Sequence, residues 1–345
     1  MFMNLKIIIL LLILFSLRGH AQTVIHGYIT DNETGEPLPA ANLQIEGTFS
    51  GAITNKDGKF NLELKSLPAT ILVSYIGYKS KQIKIDKPVE EQVNIKLIPV
   101  ILEMDAIVVT AEDPAMNIMR KVIKKKQEWM KKLKTYQANA YSRVVLENDS
   151  GIVSIGESIS RAFWDSEKGP REVILTKRQT NNISQQQNFA AASYFPNFYD
   201  DDIEINGFKM IGVTHPDALD YYNFKLVDRR MRDDKIVYDI EVIPASKLQP
   251  TFKGMVSILD EDYILLDVDL RPSEAILYPP PIQEWNLYYK QQFSNFGQDF
   301  WLPVDDRIEV DLDIGFTGLQ IPNIIYKQST HLNDNEINIP LQESL

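Results

Sequence analysis

The three histidines beyond residue 21, of four in the chain, and a scatter of carboxylates are the side chains best suited to chemistry, and their spacing limits what they could do. His26, His215 and His331 lie in three separate segments, and no HExxH pair sets two imidazoles one helical turn apart. The chain has no cysteine, which removes thiolate zinc sites, disulfides, thiol nucleophiles and a lipid-modified N-terminal cysteine. His215-Pro-Asp217 could orient an imidazole against a carboxylate, but the same three residues more simply start a turn into a short helix. Asp267 and Asp269 are two apart on one strand and so share a face. They could hold Ca²⁺ or act as an acid–base pair, yet no Asp/Asn-rich loop of EF-hand spacing accompanies them. With Asp260, Glu261 and Asp262 they read as solvated sheet and turn acids. Gly-x-Ser-x-Gly, GxxxxGK[ST] and GxGxxG are all missing. No catalytic, cofactor-binding or metal residue is assigned, and no cofactor is expected.

Aromatic residues form the more specific pattern. Tyr194, Phe195, Phe198 and Tyr199 are followed by Tyr221, Tyr222 and Phe224. They could line an apolar cavity, present a glycan-stacking or interaction surface, or fill a core, the commonest use of such rings in β proteins.

The elements that must position these residues are mostly strands. From Val24 to about Leu97 the apolar residues alternate and turns are frequent, which argues for a small β-sandwich over residues 22–100. Asn55-Lys-Asp57-Gly58 reads as a hairpin turn between GAIT and KFNLEL. Residues 101–113 read as a linker. Pro114 then opens an amphipathic helix to about Leu133, with Met119, Val122, Ile123 and Trp129 on its apolar stripe. Its basic run, Arg120, Lys121 and Lys124 to Lys126, reads as the solvated face. Beyond Thr135, long alternating runs joined by short turns predict a curved antiparallel meander that wraps the helix or a cavity. The fold class is therefore mainly β: a sandwich, then an α+β region over 114–345.

Length and charge set the outer limits. At 345 residues two domains are expected, and a formal charge of −11 makes the chain a poor general ligand for nucleic acid. Lys6, the apolar run Ile7 to Leu17 and the small residues Gly19 and Ala21 read as an export signal over 1–21. That run is too short to span a bilayer as a helix.

Two resemblances follow from particular residues. Gly27, Asp31, Gly35, Pro37, Gly47-Thr48, Asp57-Gly58, Phe60 and Val73-Ser-Tyr-Ile-Gly-Tyr78 resemble the carboxypeptidase regulatory-like domain. The resemblance implies a transthyretin-like sandwich without peptidase chemistry, a module that precedes the plug of many TonB-dependent importers. Met104-Asp-Ala-Ile-Val-Val-Thr110 resembles the short energy-coupling segment of such importers, but reads more simply as an extended linker or edge strand. Pro114 to Ile123, Leu133 to Tyr141, Phe195-Pro-Asn-Phe-Tyr199 and Phe252 to Asp260 resemble an uncharacterised family of Gram-negative outer-membrane proteins. The strand pair from Phe252 to Leu270 is similar to the curved sheets of lipoprotein carriers. Members of the uncharacterised family are expected to continue into a C-terminal barrel, which this sequence, ending at Leu345, lacks.

The expected function is a non-enzymatic, exported envelope protein. It would act as a binding or assembly module in the periplasm or at the periplasmic face of the outer membrane. A transporter-associated component, or a truncated barrel protein, is the alternative, and a hydrolase with an unrecognised site a second. Partners would be an outer-membrane protein or another envelope component, with an apolar or glycan ligand in view and nucleic acid excluded.

Overall fold

The structure is a computed structural model that describes residues 23–89, 91–100, 113–182, 196–205, 208–275, 282–295, 299–316, 319–320 and 323–341. The expected signal segment, the residues resembling an energy-coupling segment, and Tyr194 and Phe195 lie outside the described residues.

The first eight strands are β1 (Thr23–Asp31), β2 (Asn42–Ile45), β3 (Gly51–Ile53), β4 (Lys59–Leu64), β5 (Ala69–Ser74), β6 (Tyr78–Lys79), β7 (Lys81–Ile85) and β8 (Val93–Pro99). They form two four-stranded sheets, ordered β4-β1-β8-β6 and β3-β2-β5-β7. Alternation along the strands sends Ile25 and Ile29, Phe60, Leu62 and Leu64, and Ile71 and Val73 into a core between the sheets. Asp31 ties the turn that follows β1. Its Oδ1 accepts from the Glu33 and Thr34 amides, and its Oδ2 accepts from Tyr78 Oη at 2.7 Å. The Asn55–Gly58 turn differs from the hairpin expected from sequence: β3 and β4 belong to opposite sheets, so the turn crosses the sandwich. Its local chemistry is nonetheless that of a tight turn. The amides of Asp57 and Lys59 donate to Asn55 Oδ1, and Gly58 takes φ +71°.

Helix α1 (Pro114–Met130) follows, its N-terminus capped by Asp113, whose carboxylate accepts from Ala115 N at 2.9 Å. The same carboxylate accepts from Leu226 N at 3.1 Å, which pins the helix start to the sheet. Then come β9 (Thr135–Asn148), β10 (Gly151–Asp165), β11 (Gly169–Gln179), β12 (Asp202–Ile205), β13 (Phe208–Ile211) and the short helix α2 (Ala218–Tyr221). The remaining strands are β14 (Tyr222–Arg232), β15 (Lys235–Pro244), β16 (Phe252–Leu259), β17 (Ile264–Pro272), β18 (Ile282–Ser294), β19 (Leu302–Phe316), β20 (Leu319–Gln320) and β21 (Ile324–Ile337).

All but β12 and β13 of these strands form one antiparallel sheet in the order β11-β10-β9-β21-β19-β18-β17-β16-β15-β14, with β20 beside β19. Sequence neighbours pair, as expected of a meander; the exception is β21, which inserts between β9 and β19. Register shifts occur within several pairs, including β9–β10, β14–β15 and β18–β19, and such irregularities bend and twist a sheet. One face of this sheet carries α1, whose Ala115, Met119, Val122, Ile123 and Trp129 share one buried core with Phe252, Val268, Leu270 and Phe293. The helix ends at Met130, three residues before the sequence reading, while Leu133 stays buried. Among the described residues no helix is long and apolar enough to cross a membrane.

Candidate functional site

The other face of the large sheet is polar, and the sandwich lies over it. Two sets of contacts hold it there. At one, Lys65 Nζ lies 3.0 Å from Asp334 Oδ2, Ser50 Oγ donates to Asp334 Oδ1, and Asn335 N donates to Phe49 O at 3.3 Å. At the other, Gly77 N donates to Met231 O at 2.7 Å, Ser80 N to Asp233 Oδ1 at 3.0 Å, and Arg232 Nη2 to Ser74 Oγ at 3.1 Å. Between sandwich and sheet runs a cleft of about 1470 Å³.

Strand alternation supplies the floor. Because the period is two, residues that alternate with the core-facing ones on β9, β17, β18, β19 and β21 face the cleft. Register places Arg143 opposite Ser329, Ser329 opposite Arg307, Arg307 opposite Lys290 and Lys290 opposite Asp269, one straight row over five strands. A second row places Tyr141 opposite His331 and His331 opposite Asp305. The roof comes from β2, β3 and the following turn, with Asn42, Lys56 and Lys59 among its residues.

Carboxylates brace the floor cations. Asp305, 2% exposed, lies 2.8 Å from Arg307 Nε and 2.7 Å from His331 Nδ1. Burial pushes its carboxyl up, but His331 and Arg307 outweigh that, and the group sits below its ordinary range. Glu157 accepts from Arg178 Nε, from Tyr141 Oη at 2.6 Å and from Arg143 Nη1 at 2.8 Å, which together hold its carboxyl at about 2. Lys290 Nζ is 2.6 Å from Asp269 Oδ2, and Lys327 Nζ is 2.6 Å from Glu147 Oε2. Toward the β14 edge, Arg230 grips Asp239 with two nitrogens at 2.5 and 2.7 Å. Asp267 lies on the same face; burial pushes its carboxyl up to about 7, with Lys290 opposing and Asp269 adding. Thus Asp267 and Asp269 do share a face, as the sequence predicts, and what they meet there is Lys290 as well as solvent.

The helix side carries its own polar residues. Asp306, adjacent in sequence to Asp305, points the opposite way, is fully buried, and accepts from Gln291 Nε2 at 2.6 Å. Burial raises its carboxyl well above the ordinary range, although Gln291 opposes the shift. Among the described residues no group of three or more His, Cys, Asp or Glu is placed to hold a metal ion.

The aromatic set of the sequence reading is brought together, on the helix side. Phe198 stacks edge-on against Phe252 and Tyr289, Tyr199 against Trp129 and Phe293, and Tyr222 packs on Phe224. Phe198, Tyr199, Tyr222 and Phe224 are all at most 2% exposed, and Tyr221 is half-buried beside His215. Tyr199 Oη donates to Leu265 O at 3.3 Å and Tyr222 Oη donates to Ile211 O, so their polar tips are satisfied inside the core. His215 accepts from Asp217 N at 3.0 Å in a turn that leads into α2. Of the cleft residues only His331 and Asp269 were weighed for chemistry in the sequence; the only signal of the others there is that outward strand positions in β9, β18, β19 and β21 carry charge of both signs.

Comparison with known proteins places these two parts. Residues 118–324 match the family described as Family of unknown function (DUF5686), and residues 25–109 match the CarboxypepD_reg-like domain. TonB-dependent receptor SusC of Bacteroides thetaiotaomicron is 36% identical over 94 residues, 27% of this chain and 9% of the receptor. TonB-dependent receptor P3 of Formosa agariphila is 32% identical over 81 residues, 24% of this chain and 7% of the receptor. The chain therefore spans less than a tenth of the length of these two receptors. Among solved structures, a putative outer membrane lipoprotein-sorting protein domain from Vibrio parahaemolyticus aligns with TM-score 0.29 and 11% identity, over 66% of this chain and 94% of that one. A LolA superfamily protein from Nitrosomonas europaea aligns with TM-score 0.26 and 11% identity, over 66% and 99%.

Proposed function

The chain belongs to the DUF5686 family, and because that family is of unknown function we propose that its role be read from the cleft: a non-enzymatic envelope binding module whose ligand sits between sandwich and sheet. The likeness to TonB-dependent receptors points to the outer membrane or periplasm. The finer reading, a module at the periplasmic face of the outer membrane that works beside an outer-membrane protein, is ours.

One observation carries the proposal. Two domains with separate apolar cores leave about 1470 Å³ between them, and the walls mix polar side chains braced by ion pairs with apolar ones such as Ile53, Val145 and Ile308. A gap needed only to join the domains would be closed by apolar contact, since polar groups left facing one another cost desolvation without gain. Sites for ligands recur at domain interfaces. Catalysis is not part of the reading: the one histidine in the cleft, His331, lies against the Asp305 carboxylate.

The test fills the cleft. Ser329 lies mid-floor and is half-buried, so Ser329→Trp puts a large ring into the space. Cells are fractionated, and the wild-type chain and the variant are each cross-linked in envelope extract. Recovery in the envelope, with a cross-linked component that Ser329→Trp loses, supports the module. Recovery in the cytosol, or identical cross-linking by both chains, overturns it.

A further inference from the structure

The row of side chains along the cleft floor contains an arrangement that folding alone disfavours. Arg307 and Lys290 stand directly opposite one another on β19 and β18. Like charges at directly paired positions destabilise a sheet. Arg143 lies two strands further along the same row, with the hydroxyl residue Ser329 between. At about 4.8 Å per strand, the row from Arg143 to Lys290 covers about 14 Å.

Above it, Lys56 on the turn that crosses the sandwich and Lys59 at the start of β4 are exposed, and among the described residues neither has a carboxylate partner. The cleft therefore gathers Lys56, Lys59, Arg143, Lys290, Arg307 and Lys327 against Glu147, Asp269 and Glu309, with Asp305 and Glu157 bracing Arg307 and Arg143, six cations to five acids in a chain whose total is 36 to 47. Asp305 engages Arg307 through Nε, and among the described residues the two Nη groups have no partner. A concave wall focuses such a field and attracts anions. Resting on the cleft being the binding site, we infer that its ligand is an acidic oligosaccharide, with carboxylate or phosphate groups on the Arg143–Arg307–Lys290 row.

The make-up of the lining favours a saccharide over an acidic peptide: Tyr141 and Tyr288 supply ring surfaces, and Asn42, Asn61 and Asn333 supply amides that both donate and accept, a match for hydroxyl-rich rings. The floor strands β9, β21, β19 and β18 are each paired on both sides, but β3 and β4 of the roof are sheet edges, so strand addition by a peptide is the competing mode that the hexaglutamate probe tests.

Titration calorimetry on the full mature chain compares four probes: tetragalacturonate, trehalose 6-phosphate, neutral maltotetraose and a hexaglutamate peptide. One or both acidic sugars should bind, more weakly as salt rises. Binding should fall at least about tenfold in Arg307→Gln and in Lys56→Gln/Lys59→Gln, the loss of one charge-assisted contact or more. The double variant changes only exposed residues, so the test survives if Arg307→Gln loosens the sheet. The carboxylate and phosphate sugars separate the two sources of charge. Failure of both acidic sugars to bind, tighter binding of hexaglutamate, or binding indifferent to both variants overturns the inference. Equal binding of maltotetraose that Ser329→Trp abolishes keeps the cleft as the site and overturns its preference for acids.

Discussion

Lys126 Nζ and Asp201 Oδ1 lie 2.5 Å apart, and this pair fastens α1 to the segment that enters β12. Lys126 is 5% exposed, alone so among the cations of the helical basic run. Its ammonium also donates to Thr214 O and Thr214 Oγ1, each at 3.1 Å, so all three of its protons have acceptors. Burial pushes the ammonium's pKa down, with Asp201 opposing.

Replacing Lys126 by Met keeps most of the volume and removes three hydrogen bonds, two of them to fully buried Thr214. We expect a loss of about 2–4 kcal/mol, as when one partner of a buried polar cluster is deleted. Lys125→Ala, one residue earlier and half exposed, should change stability by no more than about 0.5 kcal/mol. Urea unfolding of both variants checks the contrast. Equal midpoints would show that Lys126 is no anchor.

Sequence periodicity found most of the strands because each places one apolar face against a core. β10 and β15, GIVSIGESISRAFWD and KIVYDIEVIP, are two of the long runs expected beyond Thr135. The partner of β3 was less legible: Asp57-Gly58 specifies a tight turn, but nothing local says whether the chain turns within a sheet or across two. Lys126 was read as solvated with its neighbours, since the acceptor Asp201 is 75 residues away. The cleft was least legible. Arg143, Lys290, Arg307 and His331 sit at outward strand positions, where charge ordinarily means solvent, and only register and the docked sandwich bring them to one wall.

Gly58 should be irreplaceable for two separable reasons. Its φ of +71° disfavours any β-branched side chain, and an added Cβ would stand 2.6 Å from Ile29 O. Gly35 has a similar φ of +74° with nothing within 4 Å of an added Cβ. Gly35→Ala should therefore cost only the conformational part, about 1–2 kcal/mol, while Gly58→Val adds the clash and should exceed it. Hydrogen–deuterium exchange should show the Gly58→Val loss in residues 23–99 and leave the sheet from β9 to β21 protected. Uniform loss over both regions would mean that the sandwich does not behave as its own unit.

Asp267 makes the stability of the docked arrangement depend on pH. Its carboxyl sits at about 7 in the fold against an ordinary value of 3.8, chiefly because it is buried under the sandwich, with Asp269 adding and Lys290 and Arg230 opposing. Tyr75 faces the same groups from the sandwich side, and burial likewise raises its hydroxyl. Between pH 4 and pH 7 the folded chain therefore holds a proton that the unfolded chain releases, and stability must fall as pH rises through that window. Above pH 7 the loss is complete; below pH 4 both states are protonated and the contribution vanishes. Asp267→Asn removes the ionisable group while keeping its size. It should stabilise the protein at pH 8, on the order of 1–2 kcal/mol once solvent screening is allowed for, and leave it nearly unchanged at pH 4. Asp306 is raised as well and will leave a residual slope in the variant, so the quantity to compare is the difference between the wild-type and variant curves. Thermal melts at five pH values from 4 to 8 would measure it. A difference that stays flat over that window, or one that is largest at pH 4, would show that Asp267 ionises as freely in the fold as outside it.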